Sequence, residues 1–383
     1  MTDGAPLRGR RIVEVLATSA GGVGTHVRSI VPVLREAGAA VRVCGAPATE
    51  ELFGFTTAGA EFTPVGITAG LRPLADSRAV VQLRRALAGA DLVHAHGLRA
   101  GLVAAAARRL GGSRTAPLVL TLHNALLEDG GRLHGVLRAV ERLTVRSADL
   151  VLAVSSDLAA NARRAGAPDV RVTPAVAPPR APAQRDRAEV RRELGVAEGQ
   201  PLVVAVGRLH PQKGYDVLLD AVAGWAADPR LPVTPLVAIA GDGPLYDDLA
   251  GRIRDGKLPV VLLGRRDDVA DLLGAADVCV LPSRWEGSPF TAQEALRAGT
   301  PLVSTRAGGL PELLGSGASL VPVGDVRALT DAAVRVLTDP AHAAQLVEAG
   351  RAQAAGWPDE ATAARRLVAV YRELLGPSVE GRP

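Results

Sequence analysis

Short apolar runs alternate with amphipathic stretches along this chain, in two series separated by one proline-rich gap. The runs are strand-length, and most are followed by a segment with helical spacing, which is the signature of parallel βα units. In the first series strands are expected at 11–17 (RIVEVLA), 40–45, 90–95 (ADLVHA), 117–122 (PLVLTL) and 149–154 (DLVLAV). Helices are expected over 25–37, 98–110, 133–147 and 156–165. The second series places strands at 201–206 (PLVVAV), 235–240, 259–263, 277–281 and 301–304, with helices near 214–227, 244–255 and 290–298. Between them, residues 174–187 (PAVAPPRAPAQRDR) have no periodicity and read as an interdomain linker. The 383 residues suit two domains. The expected fold class is α/β: two Rossmann-like doubly wound domains, 1–178 and 186–357, facing each other across a cleft at the carboxyl ends of both sheets.

Nearly half the residues are apolar, so a large core is available, built from Ala, Val and Leu because aromatics are scarce. Cys44 and Cys279 both fall in apolar runs and are expected as reduced core thiols, not as a disulfide or a metal site. No apolar run approaches the ~18 residues of a membrane span. Residues 10–20 faintly resemble a signal peptide, but Glu14 interrupts the apolar stretch and a first strand explains it better. The expected location is cytoplasmic. Residues 1–178 carry 21 Arg, no Lys and 14 acids, a net +7, whereas the remainder carries −3. A basic N-terminal half suits an anionic substrate or peripheral association with an anionic membrane. Nucleic acid is disfavoured, because basic residues do not alternate with aromatics.

The stretch VGRLHPQKGYDVLLDAV, 206–222, ends a strand at Gly207 and carries Arg208 and Lys213 into a helix. A basic pair at a strand end beside a helix N-terminus suits a pyrophosphate. Lys213 is one of two lysines against 42 arginines, which marks a need for a compact point charge. In WEGSPFTAQEALRAG, 285–299, a helix is expected to begin near Pro289. That leaves the amides of Phe290 and Thr291 as donors at the positive end of the dipole. Glu286 and Glu294 straddle this helix start. In the first half, SAGGVGTHV opens a helix and contains Gly22-Val23-Gly24, but Val27 stands where a dinucleotide fingerprint needs its third glycine. The second strand also lacks the ribose-binding acid, so an NAD enzyme is disfavoured. His94 and His96 alternate onto one strand face; no third metal ligand is evident, and one packed and one open histidine are expected.

Together these residues resemble the family 4 retaining glycosyltransferases of the GT-B fold. The resemblance rests on Gly21, Gly22 and His26, on DLVHAHGLRAG (91–101), TLH (121–123), VSSDL (154–158), GRLHPQKG (207–214) and GDGP (241–244). It continues through LGRRDDV (263–269), the long run 281–303 and GGLPELL (308–314), and covers about residues 11–375. It implies that a C-terminal helix, 358–376, joins the first domain. It also implies that Arg208 and Lys213 bind the donor diphosphate beside Gly207, that Glu294 holds the ribose hydroxyls, and that Glu286 and Ser288 lie at the donor sugar. The amides of Phe290 and Thr291 would cap the distal phosphate, helped by Gly22 from the other domain, and Arg265 would border the base. His123 would lie near the sugar at the reaction centre, with His26 and His96 on the acceptor side. Two departures stand out: Ser288 and Pro289 replace an aromatic and a glycine, and Pro174-Ala175-Val176 replaces Pro-Asn-Gly.

The expected activity is transfer, with retention, of a hexose-type sugar from a UDP- or GDP-sugar to an acceptor hydroxyl, the acceptor being lipid-linked, a glycan or a small metabolite. No cofactor and no metal are expected, since family members of this type do not need a divalent ion and no Asp-x-Asp triad is present. Glycosidase chemistry would need two carboxyls ~5 Å apart around one anomeric carbon, whereas Glu286 and Glu294 should engage different ends of an extended ligand. A sugar-nucleotide epimerase and a non-catalytic nucleotide-sugar sensor are the alternatives.

Overall fold

The computed structural model describes residues 5–19, 21–68, 70, 72–111, 116–125, 134–178 and 182–376. The chain forms two compact units, one made of residues up to Pro178 together with those from Pro358, the other of Pro179–Trp357.

Among the described residues the first unit holds seven parallel strands: β1 Arg11–Leu16, β2 Ala40–Gly45, β3 Glu61–Pro64, β4 Leu92–His96, β5 Leu118–Leu122, β6 Leu150–Ala153 and β7 Val170–Val172. Their order is β3-β2-β1-β4-β5-β6-β7, so the winding reverses between β1 and β4. Glu14 pairs with His94 and Leu16 with His96 across that reversal. The central strands are buried end to end, as strands covered on both faces must be. Helix Glu360–Leu375 belongs to this unit, where Leu367, Val368 and Tyr371 pack with Ile12, Leu16 and Val27.

Among the described residues the second unit holds six parallel strands: β8 Leu202–Val206, β9 Leu236–Ala240, β10 Val260–Gly264, β11 Val278–Leu281, β12 Leu302–Thr305 and β13 Ser319–Val321. Their order β10-β9-β8-β11-β12-β13 reverses between β8 and β11. Alternation sends Val203, Ala205, Val278 and Val280 to one core and Leu202, Val204, Cys279 and Leu281 to the other. Each such valine or leucine contributes roughly 1.5–3 kcal/mol on burial.

The strands expected from apolar runs are all present, shifted by a residue or two. Three strands carry no such run: β3, β7 and β13. Each lies at or next to a sheet edge or ends the order, is three or four residues long, and is only partly buried, so it needs little apolar sequence. The boundary between the units falls inside the expected linker 174–187, whose described residues are anchored on both sides of it. Ala175, Val176 and Ala177 are buried, and the amides of Gln184 and Arg185 donate to Asp271 Oδ1 at 2.7 and 3.2 Å. Asp186 then caps helix Arg187–Glu193. Both cysteines are free and buried, and burial pushes each thiol up to about 12. Among the described residues no helix is long and apolar enough to cross a membrane.

Candidate active site

In the second unit the reversal between β8 and β11 places two loops side by side, the position where open α/β sheets bind ligands. The β8 loop runs through Gly207 and Arg208 into the short turn Pro211–Lys213 and then helix Tyr215–Trp225. Gly214 joins turn to helix at φ +66°, and a Cβ there would lie 2.1 Å from the Pro282 carbonyl oxygen of the β11 loop. Only glycine permits that approach. Cross-links follow: the Arg284 amide donates to the Gln212 carbonyl at 2.7 Å, and Gln212 Nε2 donates to the Trp285 carbonyl at 2.9 Å. Arg284 grips Asp216 with two bonds of 2.8 and 2.7 Å.

Lys213 Nζ, whose chain lies over Gly207, donates to Glu286 Oε1 at 2.6 Å. Ser283 Oγ donates to the same oxygen at 2.7 Å. Glu286 is 5 % exposed. Among the described residues its Oε2 meets no donor, so this buried carboxylate keeps one oxygen able to accept a hydrogen bond. Gly308, at φ +55°, closes over the Glu286 carbonyl, where a Cβ would stand 2.1 Å away. Helix Phe290–Ala298 begins after Pro289 with no side-chain cap, and Thr291 Oγ1 donates to the Val206 carbonyl at 3.4 Å. The positive helix end therefore adjoins the tip of β8. Arg208, at that tip, is exposed and makes no ion pair among the described residues. Ser288 Oγ accepts from Gln293 Nε2 at 3.1 Å, and Glu294 is half-buried one turn on. Arg265 follows Gly264 at the end of β10, exposed, 4.0 Å from Asp267.

The first unit gathers a second cluster at its own reversal. His96 Nε2 and His94 Nδ1 lie 2.8 and 3.2 Å from Glu14 Oε2, and the Tyr371 hydroxyl donates to Glu14 Oε1 at 2.9 Å. His94 Nδ1 is 2.5 Å from the Tyr371 oxygen and Nε2 is 2.6 Å from Thr121 Oγ1. His96 Nδ1 is 3.2 Å from His123 Nε2, and the His26 ring stands edge-on to both rings at 5.8 and 5.7 Å. His94 and His96 are both buried, which corrects the expectation of one packed and one open ring; the outer member is His123. Gly22 is the exposed first residue of helix Gly22–Glu36, which starts earlier than the expected 25–37.

Burial opposes ionisation of Glu14, but the attraction and hydrogen bonds of His94 and His96 outweigh it and hold the carboxyl well below its ordinary range. Burial first, then neighbouring imidazoles, brings His26 and His96 down to about 4 and lowers His123 as well. These rings are neutral near pH 7. Sequence spacing missed Ser283, Tyr371 and the part played by Glu14. The one available signal was Glu14 itself, an acid at an inward position of an apolar strand.

Residues 200–339 match the family described as "Glycosyl transferases group 1", and residues 21–178 match "Glycosyl transferase 4-like domain". The 2-deoxystreptamine N-acetyl-D-glucosaminyltransferase of Streptomyces fradiae is 35 % identical over 65 % of this chain and 63 % of its own, so the chain spans less than two thirds of that relative. A D-inositol 3-phosphate glycosyltransferase of Saccharomonospora viridis is 34 % identical over 74 % of this chain and 70 % of its own. The crystal structure of Anabaena Alr3699/HepE, in complex with UDP and glucose, aligns with 95 % of this chain and 100 % of its own at a TM-score of 0.79 and 23 % identity. Matched families over both units, a relative above 30 % identity and the doubly wound sheets agree: the chain belongs to the family 4 glycosyltransferases of the GT-B fold.

Proposed function

We propose that the protein is a retaining glycosyltransferase that moves a hexose-type sugar from a UDP- or GDP-sugar to a hydroxyl of a small acceptor. What supports this is that, beyond the neighbouring strands β8 and β11, one loop carries an exposed arginine (Arg208) and an ammonium (Lys213), and the other carries a carboxylate with one oxygen to spare (Glu286) followed by a helix with no side-chain cap. In this reading Arg208, Lys213 and the amides of Phe290 and Thr291 receive the charge that develops on the departing diphosphate. Glu286 Oε2 accepts from a sugar hydroxyl, Glu294 from the ribose, and Arg265 borders the base. The acceptor hydroxyl approaches from the face the diphosphate leaves and gives its proton to the leaving phosphate oxygen. The charge that a divalent cation supplies in other transferases comes here from side chains and a helix end, and no cofactor is required.

Two aligned relatives have names containing 2-deoxystreptamine and D-inositol 3-phosphate, both small hydroxylated rings, which supports a small acceptor. Incubation with radiolabelled UDP-glucose, UDP-N-acetylglucosamine and GDP-mannose, each with a panel of such acceptors, tests the assignment. Label transferred with the anomeric configuration kept is the expected result. Hydride exchange, epimerisation or binding without turnover would each replace it.

A further inference from the structure

Glu14 stands outside the donor set, yet it lies at the inner end of a line of side chains that finishes on His123. The protons along that line can be assigned from one end. Burial, and then the charge of Glu14, pushes Tyr371 well above the ordinary phenol range, so its O–H is kept and donates to Oε1. An ionised Oε2 only accepts, so His96 Nε2, 2.8 Å away, carries its hydrogen. A neutral imidazole has one N–H, so His96 Nδ1 accepts, and the N–H at His123 Nε2 is the donor 3.2 Å away. His123 is left with a lone pair on Nδ1 that meets no donor among the described residues. On the other branch His94 Nδ1 lies 2.5 Å from the Tyr371 oxygen and His94 Nε2 lies 2.6 Å from Thr121 Oγ1.

We propose that Glu14 is a positioning residue that, through His96, fixes the tautomer of His123 so that its Nδ1 accepts a hydrogen bond from a substrate hydroxyl. The hydroxyl part of this proposal rests on the sugar-transfer reading above. A hydroxyl held this way points its proton at the ring and turns its oxygen lone pairs outward; a ring presenting N–H would hold it the opposite way round. The groups facing His96 and His123 are Glu14 from β1, His94 from β4 and His26 from helix Gly22–Glu36, with Tyr371 behind Glu14. The donor atoms of Glu14, His94 and His96 also lie within 4.8 Å of one another, a spacing that suits a metal ion. Each of them is already engaged at hydrogen-bond distance, and all three side chains are enclosed.

Glu14→Gln tests this with little change of shape. Its amide donates to His96 Nε2, which reverses the line: His96 Nδ1–H then donates to His123 Nε2, and His123 carries its hydrogen on Nδ1. Nitrogen-15 NMR of the imidazoles in the full chain without substrate reads the tautomers directly. The expected result is Nε2–H for His123 in the wild type and Nδ1–H in Glu14→Gln, with kcat at least tenfold lower and KM for the nucleotide sugar unchanged. Tyr371→Phe lowers Tm but keeps the wild-type tautomer, which separates the relay from a loss of packing. Nδ1–H in the wild type, the same tautomer in both chains, or one equivalent of zinc by elemental analysis overturns the proposal. Nδ1–H in the wild-type spectrum overturns it even if Glu14→Gln does not fold. That spectrum needs no donor sugar, so absent transfer with the expected tautomers removes the sugar-transfer reading and leaves control by Glu14 standing.

Discussion

Lys213 Nζ and Glu286 Oε1 meet at 2.6 Å although 73 residues separate them. They meet because β8 and β11 are neighbours at the reversal of the sheet, and each residue sits in the loop beyond its strand. The pair is mostly enclosed, with side chains 17 % and 7 % exposed. A single contact fixes an ammonium and a carboxylate against each other at the reversal of the sheet.

Nucleotide binding should depend on the two cations. In a thermal-shift screen against UDP, GDP, ADP and TDP, a uridine or guanosine diphosphate is expected to stabilise the wild type strongly. Arg208→Ala or Lys213→Ala should weaken binding by roughly ten- to hundredfold, the worth of a charge-assisted hydrogen bond. An unchanged shift in both variants would sink the phosphate role.

The two partners should fail differently. Lys213→Ala strands an enclosed carboxylate and should cost on the order of 3 kcal/mol in urea unfolding, even without ligand. Glu286→Gln keeps the shape and an oxygen for Ser283 and Lys213 but removes the charge, and should leave UDP affinity intact while lowering kcat about a hundredfold. Equal loss of bare-nucleotide affinity in Glu286→Gln contradicts the sugar role.

Glu294→Ala should weaken the nucleoside diphosphate about tenfold by calorimetry and leave inorganic pyrophosphate binding unchanged, since the ribose is its partner in this reading. Parallel losses for both ligands would place Glu294 elsewhere.

Gly308→Ala must push a Cβ into the Glu286 carbonyl at a left-handed φ of +55°. A destabilisation of about 1–3 kcal/mol is expected, together with a fall in kcat larger than for an alanine at exposed Gly195. A fully active Gly308→Ala would show that the Glu286 backbone has room to move.

Acid should destabilise the first unit early. His26 and His96 titrate at about 4 when folded, against 6.5 ordinarily. Between those values the unfolded chain binds protons the folded chain refuses, so stability falls as pH drops through that window. The slope is about 1.4 kcal/mol per pH unit for each proton. Glu14, also lowered, extends the fall below 4.5. Urea unfolding from pH 7 to 5 should show this slope, and His26→Gln should flatten it; a level profile would refute the assignment.

Local pattern alone determined the two α/β series, because a buried parallel strand must be written as a short apolar run. The same pattern placed Arg208, Lys213, Glu286 and the helix start at strand ends, since a loop leaving a strand tip needs no tertiary knowledge to locate. Edge strands β3, β7 and β13 escaped it, being too short and too exposed to require apolar residues. Strand order, and with it the pairing of Lys213 with Glu286, was decided only by the fold, because hydrogen bonding between parallel strands leaves no trace in spacing. So was the company of Glu14: the Tyr371 hydroxyl that reaches it lies 357 residues away on the last helix, and only packing of that helix on the first unit brings the two together.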